Sequence, residues 1–203
     1  FFPGGRPVSI EARIGTIKFA SSRGPNVALD NALTRPDTRD MSHSFAKRIA
    51  YNAWANATLY RELKSKRAPE AALRAFQHLL ETELIWSSRM SGQGNPGIKL
   101  WEPVTAEARD EWFAQARRQL EQVAEAEGPS GFSRSYAYQN LSGQDFQGTV
   151  ADTLEQVLTH SAHYRGEAAG LLLAAGIPMP ALDPIFCQRL GAPGAEPASR
   201  RAP

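Results

Sequence analysis

Apolar side chains recur three and four positions apart in four stretches between residues 41 and 187, and each stretch predicts an amphipathic helix. The first starts at Ser42 or Ser44 as N-cap and runs to about Lys66, with Phe45, Ile49, Trp54, Leu59 and Leu63 on its apolar face. The second runs from Pro69 to Met90 on Phe76, Leu79, Leu80, Leu84 and Trp86, and SGQGNPG (91–97) breaks it. Thr105 caps the third, whose first turns carry Glu107, Asp110 and Glu111, where the helix dipole favours acids. It stops near Gly128-Pro129. The segment 133–150 alternates Tyr136 and Tyr138 with polar residues and contains the turn signal Ser142-Gly143. That pattern predicts a short β-hairpin or an extended crossover. The fourth helix spans about Thr149 to Ala175 and ends at Gly176, with Pro178 beyond. Four such helices in one segment predict an all-α, four-helix bundle, with short connections between helices 1 to 3 and a longer one between 3 and 4.

The ends read differently. Residues 1–40 show no sustained period and scatter Gly, Pro, Arg and Ser. The chain opens with Phe, whereas Met41 begins the helix-start run MSHSF. The native protein is therefore expected to start at Met41, with 1–40 a disordered leader or a non-native extension. The tail, 188–203, is rich in Gly, Pro and Ala and is expected to be disordered. One cysteine, Cys187, excludes an internal disulfide and fits a reducing, cytoplasmic setting. The longest apolar run, Ala168 to Ile177, is far below the roughly 20 residues of a membrane span.

The pI of 8.8 suggests nucleic acid until the charge is located. Residues 1–40 hold six Lys/Arg and four Asp/Glu, and 188–203 hold three and one. Of the totals of 23 and 21, the helical segment keeps fourteen basic against sixteen acidic side chains. A nucleic-acid-binding fold concentrates basic residues on its folded surface. No nucleic-acid partner and no membrane partner are expected.

Chemistry concentrates in the histidines. His78 lies mid-helix 2 and His160 mid-helix 4, and facing helices of a bundle can present both to one central point. Imidazole suits borderline divalent metals, but a catalytic site of that kind has three protein ligands. At about 100° per residue, Val150, Leu154, Val157, Ser161, Ala168 and Leu172 fall at about 60–120° from His160 and mark its buried side. Tyr164 falls at about 40°, beside His160, and His163 at about −60°, away from that side. Tyr164 is the favoured neighbour, although phenol is a poorer ligand; His163, at i+3, is the alternative third ligand. His43, near a helix start, reads as surface. Glu81 could orient His78 or act as a base, though Glu81 and Glu83 would also suit an exposed helix face. Cys187 reads as a small buried hydrophobe, and the four tryptophans as core or interface aromatics. Arg165 could pair an anionic substrate, or Glu83 or Glu167.

The order of these segments resembles the DinB-like (damage-inducible) family of metal-binding four-helix bundles. YNAWANATLY (51–60) is similar to the family's YNxWANxxLY opening. HLLETELIW (78–86) is similar to its H-x4-E-x2-W pattern, with His78, Glu83 and Trp86 in register. HSAHYRGEAAGLLLAAGIPMPALDPIF (160–186) is similar to its HxxxHRGQ helix and G-x-PP-x-x-D ending. The resemblance implies His78 and His160 as ligands of a divalent metal ion, nickel, zinc or similar, with a third histidine where this chain has Tyr164. It also implies a homodimer and, in some members, a thiol-dependent transferase or isomerase. The expected function is a metal-dependent enzyme of thiol-transferase or hydrolase type, acting on a small-molecule substrate, with a low-molecular-weight thiol as a candidate cofactor. The alternative is a non-catalytic metal-binding or stress-response bundle whose site has degenerated.

Overall fold

The structure is a computed structural model that describes residues 38–64, 67–179 and 181–189, with side chains from Phe45 onward except at 129–131 and 189. The expected leader and tail lie outside these residues, apart from 38–40 and 188–189. Four long helices dominate: α1 (Thr38–Leu63), α2 (Glu70–Met90), α3 (Ala106–Glu127) and α4 (Val150–Ala174). A 3-10 turn (Gly128–Ser133) and two strands, β1 (Ser135–Gln139) and β2 (Asp145–Thr149), connect α3 to α4, and α5 (Pro184–Arg189) closes the described chain. The fold is all-α apart from that one two-stranded sheet.

The local signals place the elements closely. Thr105 Oγ1 accepts from Ala108 N at 3.2 Å and Thr149 Oγ1 from Asp152 N at 3.1 Å, which satisfies first-turn donors of α3 and α4. Gly176, at φ +73°, takes the left-handed conformation that stops α4. The segment 133–150 is the hairpin rather than an extended crossover: Tyr136 pairs with Gly148 and Tyr138 with Phe146. Asn140 Oδ1 accepts from Ser142 N and Gln144 N across its turn. One boundary differs. α1 is already helical at Thr38, ahead of the expected Ser42 or Ser44 cap.

Two apolar clusters fix how the helices run. One gathers Leu59 and Leu63 of α1, Ala72 and Phe76 of α2, Ala116 of α3 and Leu172 of α4. The other gathers Phe45 and Ile49, Met90, Leu120 and Val123, and Val150 and Leu154. Each helix thus has one end in each cluster. α1 and α4 run one way, and α2 and α3 the other. Phe76 is fully buried and stacks on Tyr60 with ring centres 4.9 Å apart, while Phe113 leans on both. Burial of one such ring stabilises the fold by about 1.5–3 kcal/mol, and its aromatic contacts add about 1 kcal/mol.

The short link from α1 to α2 does not make them neighbours. α2 packs closely on α3 and α4, and α1 on α4 and α3, whereas the backbones of α1 and α2 stay apart and the two meet through side chains such as Tyr60 and Phe76. The expected short connection from helix 2 to 3 is instead a long excursion, residues 91–105, that folds back over α2. As a result α2 is buried almost all round, its polar residues included.

Candidate functional site

Between the two apolar clusters lies a polar layer. Glu83 is buried on α2, and its Oε1 accepts from Asn52 Nδ2 at 2.7 Å, Asn56 Nδ2 at 3.1 Å and Ser161 Oγ at 2.7 Å. Arg165 Nη1 donates to Asn52 Oδ1 at 2.8 Å and Asn56 Oδ1 at 2.6 Å. The two asparagines thereby join a buried carboxyl to a buried guanidinium. Burial raises the pKa of Glu83 against the pull of its donors and of Arg165, and burial lowers that of Arg165. These residues come from YNAWAN, HLLETELIW and HSAHYRG, the three segments that carry the resemblance. Glu83 and Arg165 were thus an internal pair of the kind the sequence allowed. Ser161 is on the buried side of α4 as expected, whereas the asparagines went unread, although two asparagines at i and i+4 on an apolar helix face were a signal.

The histidines meet beside this layer. The rings of His78 and His160 stand 5.2 Å apart, centre to centre. Tyr164 closes the triangle, at 4.5 Å from His78 and 4.6 Å from His160. His163 is exposed and touches only the outer edge of Tyr164, at 5.0 Å. Among the described residues, then, His78, His160 and Tyr164 come together and His163 turns outward, as its position round the helix requires.

A carboxylate fixes His78. Glu81, fully buried, faces His78 Nδ1 at 3.0 Å from Oε2. It also accepts from Gln77 Nε2 at 2.8 Å and from the Trp101 backbone N–H at 3.1 Å. Burial works against its charge, but the bonds from His78, Gln77 and Trp101 outweigh burial and hold the carboxyl below its ordinary value. An ionised Glu81 can only accept, so His78 Nδ1 carries the proton of that bond and Nε2 is the nitrogen the carboxylate leaves unengaged. Glu81 and Glu83 are therefore interior groups, not the exposed helix face their spacing also suited.

Trp101 is the residue the sequence misplaced. It is 40% exposed rather than core, and its ring lies flat on His78 at 3.9 Å. Its φ is +65°, a left-handed conformation that costs a non-glycine residue about 1–2 kcal/mol. The bond to Glu81 and that from Arg74 Nη2 to the Trp101 carbonyl, 3.1 Å, hold it there. A strained aromatic lid over an oriented imidazole is a feature that cores do not need.

His160 is half-buried. Burial first, then His78 and His163 beside it, pushes its pKa from 6.5 to about 4, so it is neutral near pH 7. Its Nδ1 is buried without a hydrogen-bond partner among the described residues. An ion about 2.1 Å from a ring nitrogen lies about 3.2 Å from the ring centre, and near-tetrahedral geometry sets two such centres about 5.2 Å apart. The observed separation fits a shared ion, and a neutral His160 with an orphaned nitrogen is a suitable donor. Among the described residues, no group of three or more His, Cys, Asp or Glu converges as a metal site. The Tyr164 ring stands against both imidazoles.

A cavity of about 830 Å³ lies elsewhere. Tyr51, Asn52, Leu158, Ala162, Arg165 and Cys187 line it, between α1, α4 and α5. Leu158, Ala162 and Arg165 lie about 140–200° round α4 from His160, so this space opens on the far side of the helix from the histidines. Cys187 is half-buried on its wall, with burial raising the thiol pKa, and is not a core residue. No helix among the described residues is long and apolar enough to cross a membrane. Comparison with known protein families, with curated proteins and with solved structures yields no match.

Proposed function

We propose that this chain is a DinB-like four-helix bundle that binds one divalent metal ion, nickel, zinc or similar, through His78 and His160, with Tyr164 at the third position. The observation that carries the reading is the convergence of two imidazoles from α2 and α4 to 5.2 Å, one of them oriented by the buried carboxylate of Glu81. A histidine whose second nitrogen bonds a carboxylate is the common form of a metal-ligating histidine.

A divalent ion held there supplies Lewis-acid activation, lowering the pKa of a thiol or a water. The rest is the work of the chain's own groups. Glu81 fixes the His78 tautomer. Half-burial keeps His160 unprotonated at neutral pH. The Trp101 ring shields one face of His78. Tyr164 offers a phenol oxygen as a donor or a hydrogen-bonding group. The activity that fits is thiol transfer or hydrolysis of a small molecule, with a low-molecular-weight thiol as co-substrate, in a cytoplasmic homodimer without nucleic-acid or membrane partners.

A second reading, a non-catalytic metal-binding or stress-response bundle with a degenerate site, is favoured by one observation: the phenol where the resemblance implies imidazole. Elemental analysis of purified protein separates the two when paired with His78→Ala and Tyr164→His. Near-stoichiometric metal in the wild type, lost in His78→Ala, supports the enzyme reading, which turnover with candidate thiols then tests. Metal only in Tyr164→His supports the degenerate site. Metal in none of the proteins would refute both.

A further inference from the structure

Arg89 occupies the last turn of α2, about 16 Å along the helix from His78. It is 5% exposed, so its guanidinium must find its partners inside the fold. Trp86 and Tyr138 cover its faces, with ring centres 4.6 and 5.3 Å from Cζ. Nε donates to Asn95 Oδ1 at 3.0 Å. Nη2 is buried and has no acceptor among the described residues. No ion pair to a carboxylate is present either, and burial accordingly pushes the Arg89 pKa down. A buried charge without a counter-charge is among the costliest features a fold can carry. The helix C-terminus and the two rings offset part of that cost. Neither provides an acceptor for Nη2.

A cavity of about 320 Å³ lies between the 91–97 loop and the hairpin, lined by Arg89, Gly92, Gly94, Asn95, Tyr138 and Asp145 among others. Gly92 and Gly94 sit at φ +72° and +75°, and a Cβ added at either meets nothing within 4 Å, so the loop leaves this space open. Among the described residues Asp145 is the one carboxylate of the wall. It is exposed and accepts from Gln139 Nε2 at 3.1 Å.

We propose that this cavity binds a small oxyanion, the carboxylate or phosphate group of a small molecule, with Arg89 as its cation and Asn95 beside it. The anion supplies the counter-charge that Arg89 lacks, and a guanidinium pairs well with either group. The site is separate from the histidines and independent of the metal reading.

The test is calorimetric titration of the full chain with inorganic phosphate and with acetate, at ionic strength held constant with chloride. Saturable binding of one oxyanion per chain is expected, weakened roughly tenfold or more in Arg89→Met and less in Arg89→Lys. Tighter phosphate indicates a phosphorylated ligand, and tighter acetate a carboxylate. Asp145→Asn is expected to strengthen binding by removing a competing charge. No heat beyond the chloride reference in the wild type overturns the proposal, even where the Met variant fails to fold. Binding unchanged in Arg89→Met, or abolished in Asp145→Asn, overturns it as well.

Discussion

Deleting the carboxyl of Glu83 is the perturbation whose size the structure constrains best. Glu83→Ala removes the acceptor of three donors, on Asn52, Asn56 and Ser161, all within 3% of full burial. It also strips Arg165 of its nearest counter-charge. One orphaned buried donor costs about 1–3 kcal/mol, and breaking a buried charge pair about 3–5 kcal/mol. These contributions overlap, so about 3–5 kcal/mol is the expected loss, a large share of the 5–15 kcal/mol typical of a domain. Arg165→Met should cost a similar amount for the same reason. The double variant removes both charges together and should lose clearly less than the sum, by about 2 kcal/mol or more. Urea unfolding followed by circular dichroism at 222 nm reads all four corners of the cycle. The sign with pH follows from the raised pKa. Between its ordinary 4.5 and the raised value, the folded state holds a proton that the unfolded state has released. Stability from this group is therefore full below about pH 4.5 and declines as pH rises. Glu83→Gln lacks that slope. Additive single losses, or a wild-type advantage over Glu83→Gln that grows with pH, would refute the reasoning.

Three further outcomes are expected. Glu81→Gln releases the His78 tautomer and should lower nickel or zinc affinity roughly 10–100-fold in equilibrium dialysis, while unaltered affinity would separate Glu81 from the site. At Trp101 the left-handed backbone reverses the usual order of small residues, so Trp101→Gly should be more stable than Trp101→Ala by about 1 kcal/mol in urea; equal or opposite stability would remove the strain argument. Thr149→Ala deletes the cap that starts α4 immediately after the hairpin and should cost about 1 kcal/mol in thermal unfolding, with a change below a few tenths counting against the cap.

The helices were legible because their apolar spacing is regular and their ends carry strong local signals, such as Thr105, Thr149 and Gly176. Which helices pack closely was not, because linker length says little about partners: α1 and α2 are joined by a short link, yet their backbones stay apart and they meet through side chains such as Asn52 and Glu83 or Tyr60 and Phe76. The position of Tyr164 relative to His160 followed from helix geometry, since both lie on one rigid element. The environment of Glu81 and Glu83 did not. A carboxylate on an amphipathic helix reads as exposed, and only the 91–105 loop, whose path no periodicity records, buries α2 on the side where Glu81 lies. Trp101 was misread for the same reason. Its place depends on a left-handed residue pinned by a side chain twenty positions away.

The central claim is that two imidazoles from different helices hold one ion. X-ray absorption at the metal edge of nickel- or zinc-loaded protein tests it most directly, since ring scattering counts the imidazoles around the metal. The account predicts about two imidazoles per ion in the wild type and one or no bound metal in His160→Ala. A spectrum without imidazole scattering, or one that His160→Ala leaves unchanged, would contradict it.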